Sequence, residues 1–223
     1  MRTRLRIVLV EDHALFAQSL DFALSREGHA VLALTPDEFT TAAALLGRIR
    51  QVRPHVVLLD LDLGPLGDGR LLIAPLHRAG IQVVVLTATT DRVRWGECLA
   101  VGARRVLSKT GTLHTVLDTI TALSRGEAVL DPAERGELVA LALEKGREQR
   151  EIRARFETLT RREAVVLGHL MRGESVRDVA HAFVVSESTV RTQVKRILAK
   201  LEVSSQLTAV GLANRIGWQP PAA

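Results

Sequence analysis

Short, uninterrupted runs of apolar residues recur through the first half of the chain, separated by stretches in which apolar residues are three or four positions apart. The runs at residues 7–10, 56–59 and 83–86 contain no polar residue, which is typical of strands buried on both faces of a parallel sheet. The intervening spacing predicts helices. We therefore predict an α/β domain with a doubly wound five-stranded parallel sheet. The predicted strands are residues 5–10, 31–34, 56–59, 83–86 and 105–108, and the predicted helices are residues 14–26, 39–52, 69–79, 91–101 and 112–124.

The pattern changes after residue 130. Residues 144–157 are mostly charged, yet Ile152, Phe156 and Leu159 keep a helical spacing, so we predict a helical linker. Two interpretations stay open: a solvated linker, or a helix that docks on the second domain or pairs with a second subunit. Beyond Leu159 the strand pattern disappears, and helices at residues 161–171, 175–183, 186–201 and 206–216 predict a small all-α domain. The predicted boundaries are residues 1–128, a linker at 129–157, a second domain at 158–218 and a disordered tail at 219–223.

Composition narrows the class of protein. The chain has 223 residues, of which 47% are hydrophobic and only 3% are aromatic, enough for two cores built mainly from aliphatic side chains. No apolar run approaches the roughly 20 residues of a membrane span, and the basic start of the chain lacks the apolar core of a signal peptide. Cys98 is the single cysteine and cannot form an internal disulfide. We therefore expect a cytoplasmic protein without a membrane partner.

Polar residues with complementary chemistry stand at the ends of the predicted strands. Glu11 and Asp12 follow the first strand and Asp60 follows the third, while Thr87 and Lys109 close the fourth and fifth. Ligands bind beyond the carboxyl ends of strands in an open parallel sheet, so we expect these side chains to converge. Carboxylates and phosphate oxygens are the ligands that Mg²⁺ prefers, and a carboxylate can accept a phosphoryl group as a nucleophile. The pattern predicts a site for Mg²⁺ and a phosphoryl group.

The first 125 residues or so also resemble the receiver domain of two-component response regulators, which has a flavodoxin-like fold. The matching segments are residues 7–13, 56–60, 84–88 and 102–109. The resemblance implies that Asp60 is the phosphoacceptor and that Glu11 and Asp12 bind Mg²⁺ together with it. It assigns Thr87 and Lys109 to sensing and stabilising the phosphoryl group. His13 is interpreted as a residue at the start of a helix, without a catalytic role.

The chain departs from the family pattern around the phosphoacceptor. The family usually has Pro four and Gly eight residues after the phosphoacceptor. Here Gly64 stands at the fourth position, and Pro65 and Gly69 each come one position later, which indicates one extra residue in the loop after Asp60. Asp62 stands where the family more often has an uncharged or amide side chain, and it either adds a fourth carboxylate to the site or faces solvent. Val106 replaces an aromatic residue that often swings inward on phosphorylation. Coupling through that aromatic is therefore expected to be absent or altered.

The predicted helix at residues 186–201 is amphipathic, with a basic outer face. Val190 and Val194 lie on one side, whereas Arg191 and Lys195 lie on the opposite side. The last 65 residues carry nine Lys or Arg against five Asp or Glu. Such a helix, preceded by a short helix and a tight turn, fits helix-turn-helix geometry, whose outer face can reach DNA bases. Amphipathicity alone equally fits an ordinary surface helix.

This region resembles the LuxR-type helix-turn-helix of NarL/FixJ response regulators across residues 159–216. The matching segments are residues 159–163, 173, 178–180, 186–194 and 200–203. The resemblance implies double-stranded DNA as a partner and a homodimer, often formed through the fourth helix. It assigns contacts with bases to Arg191, Thr192 and Lys195, and it makes Ser186, Thr189, Gln193 and Arg196 candidates for contacts with phosphates. Gln193 stands where the family frequently has His.

We interpret the chain as a bacterial response regulator, not an enzyme, that a sensor histidine kinase phosphorylates on Asp60 to favour a DNA-binding dimer. One alternative is a phosphorylation-independent regulator whose receiver serves only dimerisation, which Val106 favours. A second is an aspartyl-phosphate phosphatase with a D-x-D motif at residues 60–62, although Glu11 and Asp12 would then have no role. A third is an effector domain that binds protein or RNA.

Overall fold

The computed structural model describes residues 3–221 and divides into two compact units, with the boundary between Leu143 and Glu144. The disordered tail predicted at residues 219–223 falls partly on residues 222 and 223, which lie outside the described residues; residues 219–221 have no regular secondary structure. No helix in the described part of the chain is long and apolar enough to cross a membrane.

The first unit is built around a five-stranded parallel sheet with the strand order β2-β1-β3-β4-β5. This order agrees with the predicted doubly wound sheet, because the chain reverses direction across the sheet after β2. The strands are β1 (Arg6–Val10), β2 (Ala30–Leu34), β3 (Val56–Asp60), β4 (Gln82–Thr87) and β5 (Arg105–Ser108). The helices are α1 (Ala14–Arg26), α2 (Ala42–Val52), α3 (Arg70–Arg78), α4 (Arg92–Ala100) and α5 (Leu113–Ser124).

Helices cover both faces of the sheet. Leu20 of α1 and Ile120 of α5 pack in one core with the strand residue Leu58. Ile49 of α2 and Ile73 of α3 belong to a second core on the opposite face, which α4 also covers. All of these side chains are fully buried. The strands are apolar throughout because both faces of the sheet are buried, as predicted.

Capping residues decide where several helices begin. The helix predicted to start at residue 39 starts at Ala42, because the Thr41 hydroxyl accepts a hydrogen bond of 3.1 Å from the Ala44 backbone N–H and acts as the N-cap. A short 3-10 helix, Pro36–Glu38, precedes it. Periodicity alone marked the apolar face of this helix but not its first residue.

Helix α6 (Pro132–Glu157) is 26 residues long. Leu138 is buried in the core of the first unit, whereas Ile152 and Phe156 are buried in the core of the second. The charged segment is thus helical, and its apolar residues Ile152 and Phe156 pack in the core of the second unit. The second unit continues with α7 (Arg161–Met171), α8 (Val176–Ala182), α9 (Glu187–Leu201) and α10 (Gln206–Arg215).

Candidate functional site

The acidic residues at the strand ends lie close together. Asp60 ends β3 and Glu11 follows β1, and these neighbouring parallel strands reach the same edge of the sheet. Glu11, Asp12, His13 and Asp60 each place one potential ligand atom within 4.8 Å of those of the others. The Glu11 and Asp60 residues are both only 2% exposed. Such a group of carboxylates repel one another unless a cation lies among them.

Lys109 supplies one positive charge at this site. Its Nζ atom donates hydrogen bonds to Asp60 Oδ2 at 2.6 Å and to Glu11 Oε1 at 2.7 Å. The Lys109 backbone N–H also donates to the carbonyl oxygen of Thr87 at 2.8 Å, so the residue is anchored beside the end of β4. The lysine therefore bridges the carboxylates that end two other strands.

Burial and charge pairing set the proton affinities of this pair. Burial raises the pKa of the Asp60 carboxyl above its ordinary value, although the hydrogen bond from Lys109 opposes that shift. Burial by itself would lower the pKa of Lys109, but the hydrogen bonds to Asp60 and Glu11 outweigh it and raise the pKa of the ammonium group. A charged Lys109 thus supports an ionised Asp60 that burial disfavours.

The donor set also fits a divalent cation. Glu11 Oε2 is buried and accepts no hydrogen bond from any described residue. A buried carboxylate oxygen without a donor is costly, and a cation would compensate for this cost. Three carboxylates with hard oxygen donors suit a metal such as Mg²⁺ or Ca²⁺ better than a soft ion. The acidic pocket could therefore bind a divalent metal.

His13 lies closer to the carboxylates than its interpretation as a helix-start residue implied. It is the N-cap of α1, and its Nδ1 atom lies 3.0 Å from Glu11 Oε1 and 2.6 Å from Asp12 Oδ1. These neighbours raise the pKa of the imidazole: the hydrogen bond to Glu11 contributes most, followed by the charge of Asp12. The only sequence signal for this contact is the position of the histidine directly after the acid pair.

An open cavity of about 660 Å³ lies over these residues. Thr87, at the end of β4, is buried, and its hydroxyl accepts a hydrogen bond of 3.2 Å from the Thr89 backbone N–H. The cavity is large enough to admit a phosphoryl group next to Asp60. Its walls are His13, Phe16, Asp60, Leu61, Asp62, Gly67, Asp68, Thr87, Ala88, Thr89, Arg94 and Lys109.

The loop after β3 is held by its own backbone and acidic side chains. Asp62 is exposed, and its Oδ1 atom accepts a hydrogen bond of 3.1 Å from the Gly64 backbone N–H. It borders the cavity but is not among the four clustered groups.

Gly69 is buried, and a Cβ atom there would overlap the Asp60 carbonyl oxygen. On the far side of the loop, Asp68 Oδ2 pairs with Arg94 at 3.1 Å. Sequence reasoning had not singled out this ion pair.

The second unit contains the helix-turn-helix elements. Val190 and Val194 of α9 are buried in its core, as their spacing predicted. Between α8 and α9, Val184 is 92% exposed and has a positive φ of 54°. This left-handed conformation is unfavourable for a β-branched residue. The turn is therefore strained at its most exposed residue.

The residues assigned to DNA by resemblance lie at the start and on the outside of α9. The Ser186 hydroxyl accepts a hydrogen bond of 3.2 Å from the Thr189 backbone N–H and caps the helix. Arg191 pairs with Glu187 at 3.1 Å, one turn earlier on the exposed face. Gln193 differs from the rest, since it is half-buried and its Oε1 atom lacks a hydrogen-bond partner among the described residues. The remaining members of the set are all exposed: Thr192, Lys195 and Arg196.

Comparison with known proteins agrees with this division. Residues 7–121 match the family of response regulator receiver domains, and residues 157–213 match the LuxR family of bacterial regulatory proteins. A probable transcriptional regulatory protein NarL of Mycobacterium tuberculosis is 29% identical, over 95% of this chain and 94% of its own length. The transcriptional regulatory protein DegU of Brevibacillus brevis is 26% identical, over 96% of this chain and 95% of its own length.

Solved structures show the same fold. The two-component response regulator RcsB in its complex with DNA has a TM-score of 0.51 and 20% identity, over 95% of this chain and 98% of that chain. The receiver match covers more than half of the chain and coincides with the α/β unit that carries the acidic pocket. This chain belongs to the response regulator family, with a receiver domain followed by a LuxR-type helix-turn-helix.

Proposed function

We propose that Asp60 is the phosphoacceptor of a transcriptional switch. One observation carries this proposal: buried Asp60, buried Thr87 and Lys109, which donates a hydrogen bond to Asp60, all line the same cavity. An Asp60 carboxylate oxygen forms a bond to phosphorus as the P–N bond of a phosphohistidine donor breaks. Such a donor is the expected product of a sensor histidine kinase. Transfer of this kind depends mainly on positioning and charge neutralisation.

Glu11, Asp12 and Asp60 would hold Mg²⁺ at this site. When bound, the ion supplies positive charge that neutralises phosphoryl oxygens and the carboxylates. Lys109 then releases one of its two carboxylate partners to pair with a phosphoryl oxygen. Thr87 turns its hydroxyl, whose oxygen accepts from the Thr89 N–H in this structure, and donates the hydroxyl hydrogen to another. The proposed product is a stable aspartyl-phosphate and not a turnover intermediate.

Phosphate-affinity electrophoresis tests the phosphoacceptor assignment. The full chain is incubated with a small phosphodonor, such as acetyl phosphate, and Mg²⁺, and the shifted fraction is measured. Asp60→Asn should abolish the shift, whereas Asp62→Asn, which alters an exposed carboxylate in the same loop, should retain it. Equal labelling of Asp60→Asn and the parent would refute the assignment. Sustained release of inorganic phosphate from a generic phosphate ester would instead support the phosphatase alternative.

We further propose that the second unit binds double-stranded DNA through α9, as a homodimer in the cytoplasm. Support comes from the LuxR-family match and from the exposed basic side chains Arg191, Lys195 and Arg196. RcsB, whose fold is similar, has been solved with DNA. Arg191 and Lys195 would face bases together with Thr192. Ser186, Thr189, Gln193 and Arg196 would line the phosphate backbone, with Gln193 less exposed than the other three.

DNA selection followed by affinity measurements at several salt concentrations tests this surface. Lys195→Ala should weaken binding, by about 1–3 kcal/mol at one base position if the lysine contacts a base. Arg147→Ala removes one exposed positive charge outside the LuxR-family match and is the matched control. Unchanged affinity of Lys195→Ala would remove this residue from the interface. Equal affinity of phosphorylated and unphosphorylated protein would support the regulator whose receiver serves only dimerisation.

A further inference from the structure

A hydrogen bond links the walls of two cavities in the first unit. Thr89 lines the cavity over Asp60, and Trp95 lines a second cavity of about 270 Å³ between α4, β5, α5 and the start of α6. The Trp95 indole N–H donates to the carbonyl oxygen of Thr89 at 2.9 Å. The indole of α4 is therefore tied directly to the backbone that borders the acidic site.

The loop between β4 and α4 is the mechanical link between Thr87 and this indole. Thr89 is also held by the Thr87 hydroxyl, which accepts from its backbone N–H at 3.2 Å. When the Thr87 hydroxyl turns to donate to a phosphoryl oxygen, that N–H loses or redirects its acceptor. The neighbouring carbonyl oxygen, which holds the indole, shifts with it because both belong to the same residue.

The second cavity has room for the indole to move. Its walls include Val106, whose side chain is small, and the apolar residues Leu99, Val116 and Leu138, beside polar residues such as Thr115. Trp95 is half-buried in the present conformation, so an inward rotation would bury more apolar surface. Burial of that surface is favourable and offsets the loss of the hydrogen bond to Thr89.

Helix α4 carries the movement to α6. Gly96, next to Trp95, lies so close to α6 that a Cβ atom there would overlap the Leu138 carbonyl oxygen. The Arg135 guanidinium of α6 donates to the carbonyl oxygens of Leu99 at 2.7 Å and Ala103 at 2.9 Å. The start of α6 is thus fastened to both the middle and the end of α4. Because α4 and α6 are tightly packed at Gly96 and Leu138, a movement of Trp95 displaces this contact.

We propose that Trp95 is the positioning residue that reports occupancy of the Asp60 site to the first part of α6. It does so by exchanging its hydrogen bond to Thr89 for burial in the cavity beside Val106, which loosens the contact of residues 130–142 with α4. This inference rests on the proposed phosphorylation of Asp60. It names a coupling residue for that switch on the helix that follows β4.

Tryptophan fluorescence tests the movement in the full chain. Trp218→Phe leaves Trp95 as the single tryptophan. Addition of acetyl phosphate and Mg²⁺ should shift the Trp95 emission to shorter wavelength as the indole is buried against Val106, Val116 and Leu138. Asp60→Asn in the same background should show no shift. Labelling is measured in parallel. Labelled protein with unchanged or red-shifted emission overturns this inference alone, whereas absence of labelling overturns the phosphoacceptor assignment and this inference with it.

Hydrogen exchange tests the transmission. In the parent, phosphorylation should raise the amide exchange rate in residues 130–142 by at least about 5-fold. A factor of about 5 is the smallest typical effect of one coupled site on another. Trp95→Phe keeps an aromatic ring but lacks the indole N–H, so its labelling should match the parent while most of the exchange response is lost. If Trp95 were merely structural, Trp95→Phe would change the exchange rate equally in phosphorylated and unphosphorylated protein. An undiminished response in Trp95→Phe overturns the inference.

Discussion

Lys109 and Asp60, 49 positions apart in the chain, form a hydrogen-bonded ion pair with 2.6 Å between Nζ and Oδ2. The same Nζ atom lies 2.7 Å from Glu11 Oε1. A single ammonium group therefore compensates two buried carboxylates at the end of the sheet. This compensation stabilises the acidic pocket without a metal ion, since unpaired buried charges would be costly.

Loss of the Lys109 charge should destabilise the metal-free protein. We expect Lys109→Gln to lower the free energy of unfolding of the first unit by about 1–3 kcal/mol, because two charged hydrogen bonds are removed. Urea unfolding followed by Trp95 emission in the Trp218→Phe background measures this. Mg²⁺ should restore part of the loss. Lys145→Gln removes a partly exposed lysine of the second unit that pairs with Glu148, and it should leave this transition unchanged. An unchanged midpoint for Lys109→Gln would contradict the prediction.

Metal affinity should depend on Glu11 and not on Asp62. Glu11 Oε2 is buried without a hydrogen-bond donor among the described residues, whereas Asp62 is exposed and accepts from the Gly64 N–H. We expect Glu11→Gln to weaken Mg²⁺ binding at least about 10-fold, which is the lower end even for changes in outer-sphere residues. Calorimetric titration with Mg²⁺ of this variant and of Asp62→Asn gives the comparison. Similar weakening in both variants would mean that Asp62 is a ligand.

Relief of backbone strain at Val184 should stabilise the second unit. Val184→Gly removes the β-branched side chain from a residue with φ of 54°, and we expect a gain of about 1 kcal/mol. Val184→Ala keeps a Cβ atom and should gain less. In a Trp95→Phe background, emission of Trp218, which packs against Phe156, follows unfolding of this unit. A loss of stability in Val184→Gly would show that the valine is not strained.

The stability of the second unit should fall in acid because of Glu163. This residue accepts hydrogen bonds from Lys200 Nζ at 2.6 Å and from the Thr160 backbone N–H at 2.8 Å. Burial by itself would raise the pKa of Glu163, but these contacts outweigh it and hold the pKa below its ordinary 4.5. A carboxyl group whose pKa is lower in the folded state stabilises the protein above pH 4.5, and that stabilisation is lost as the pH falls further.

Glu163→Gln should therefore flatten the dependence of the unfolding free energy on pH below 4.5. At neutral pH it should cost about 1 kcal/mol, because the amide keeps the hydrogen bond from Thr160 but loses the charge pair with Lys200. Glu157→Gln changes an exposed carboxylate at the end of α6 and serves as the control. The Trp218 emission reports both. An equally steep profile in Glu163→Gln would exclude this ion pair as the cause.

Most secondary structure follows from local chemistry and could be predicted. The strands at residues 56–59 and 83–86 are apolar because both faces of the sheet are covered, and Gly80 and Gly102 end the preceding helices with positive φ angles. The start of α2 was less predictable, because the apolar spacing does not show that the Thr41 hydroxyl accepts from the Ala44 N–H and begins the helix there. The Asp62 orientation was also open, since an exposed carboxylate and an inward one have the same sequence pattern.

The sequence by itself determined which residues end the strands, and the parallel order of the sheet turns those positions into one acidic pocket. It also determined the amphipathic α9, because a period of 3.6 separates its buried valines from its exposed basic residues. Only the tertiary structure decided that Lys109 bridges Asp60 and Glu11 and that the Trp95 indole N–H is hydrogen-bonded to Thr89. These contacts join elements through side-chain rotamers and loop paths, which packing selects and which no local pattern along the chain encodes.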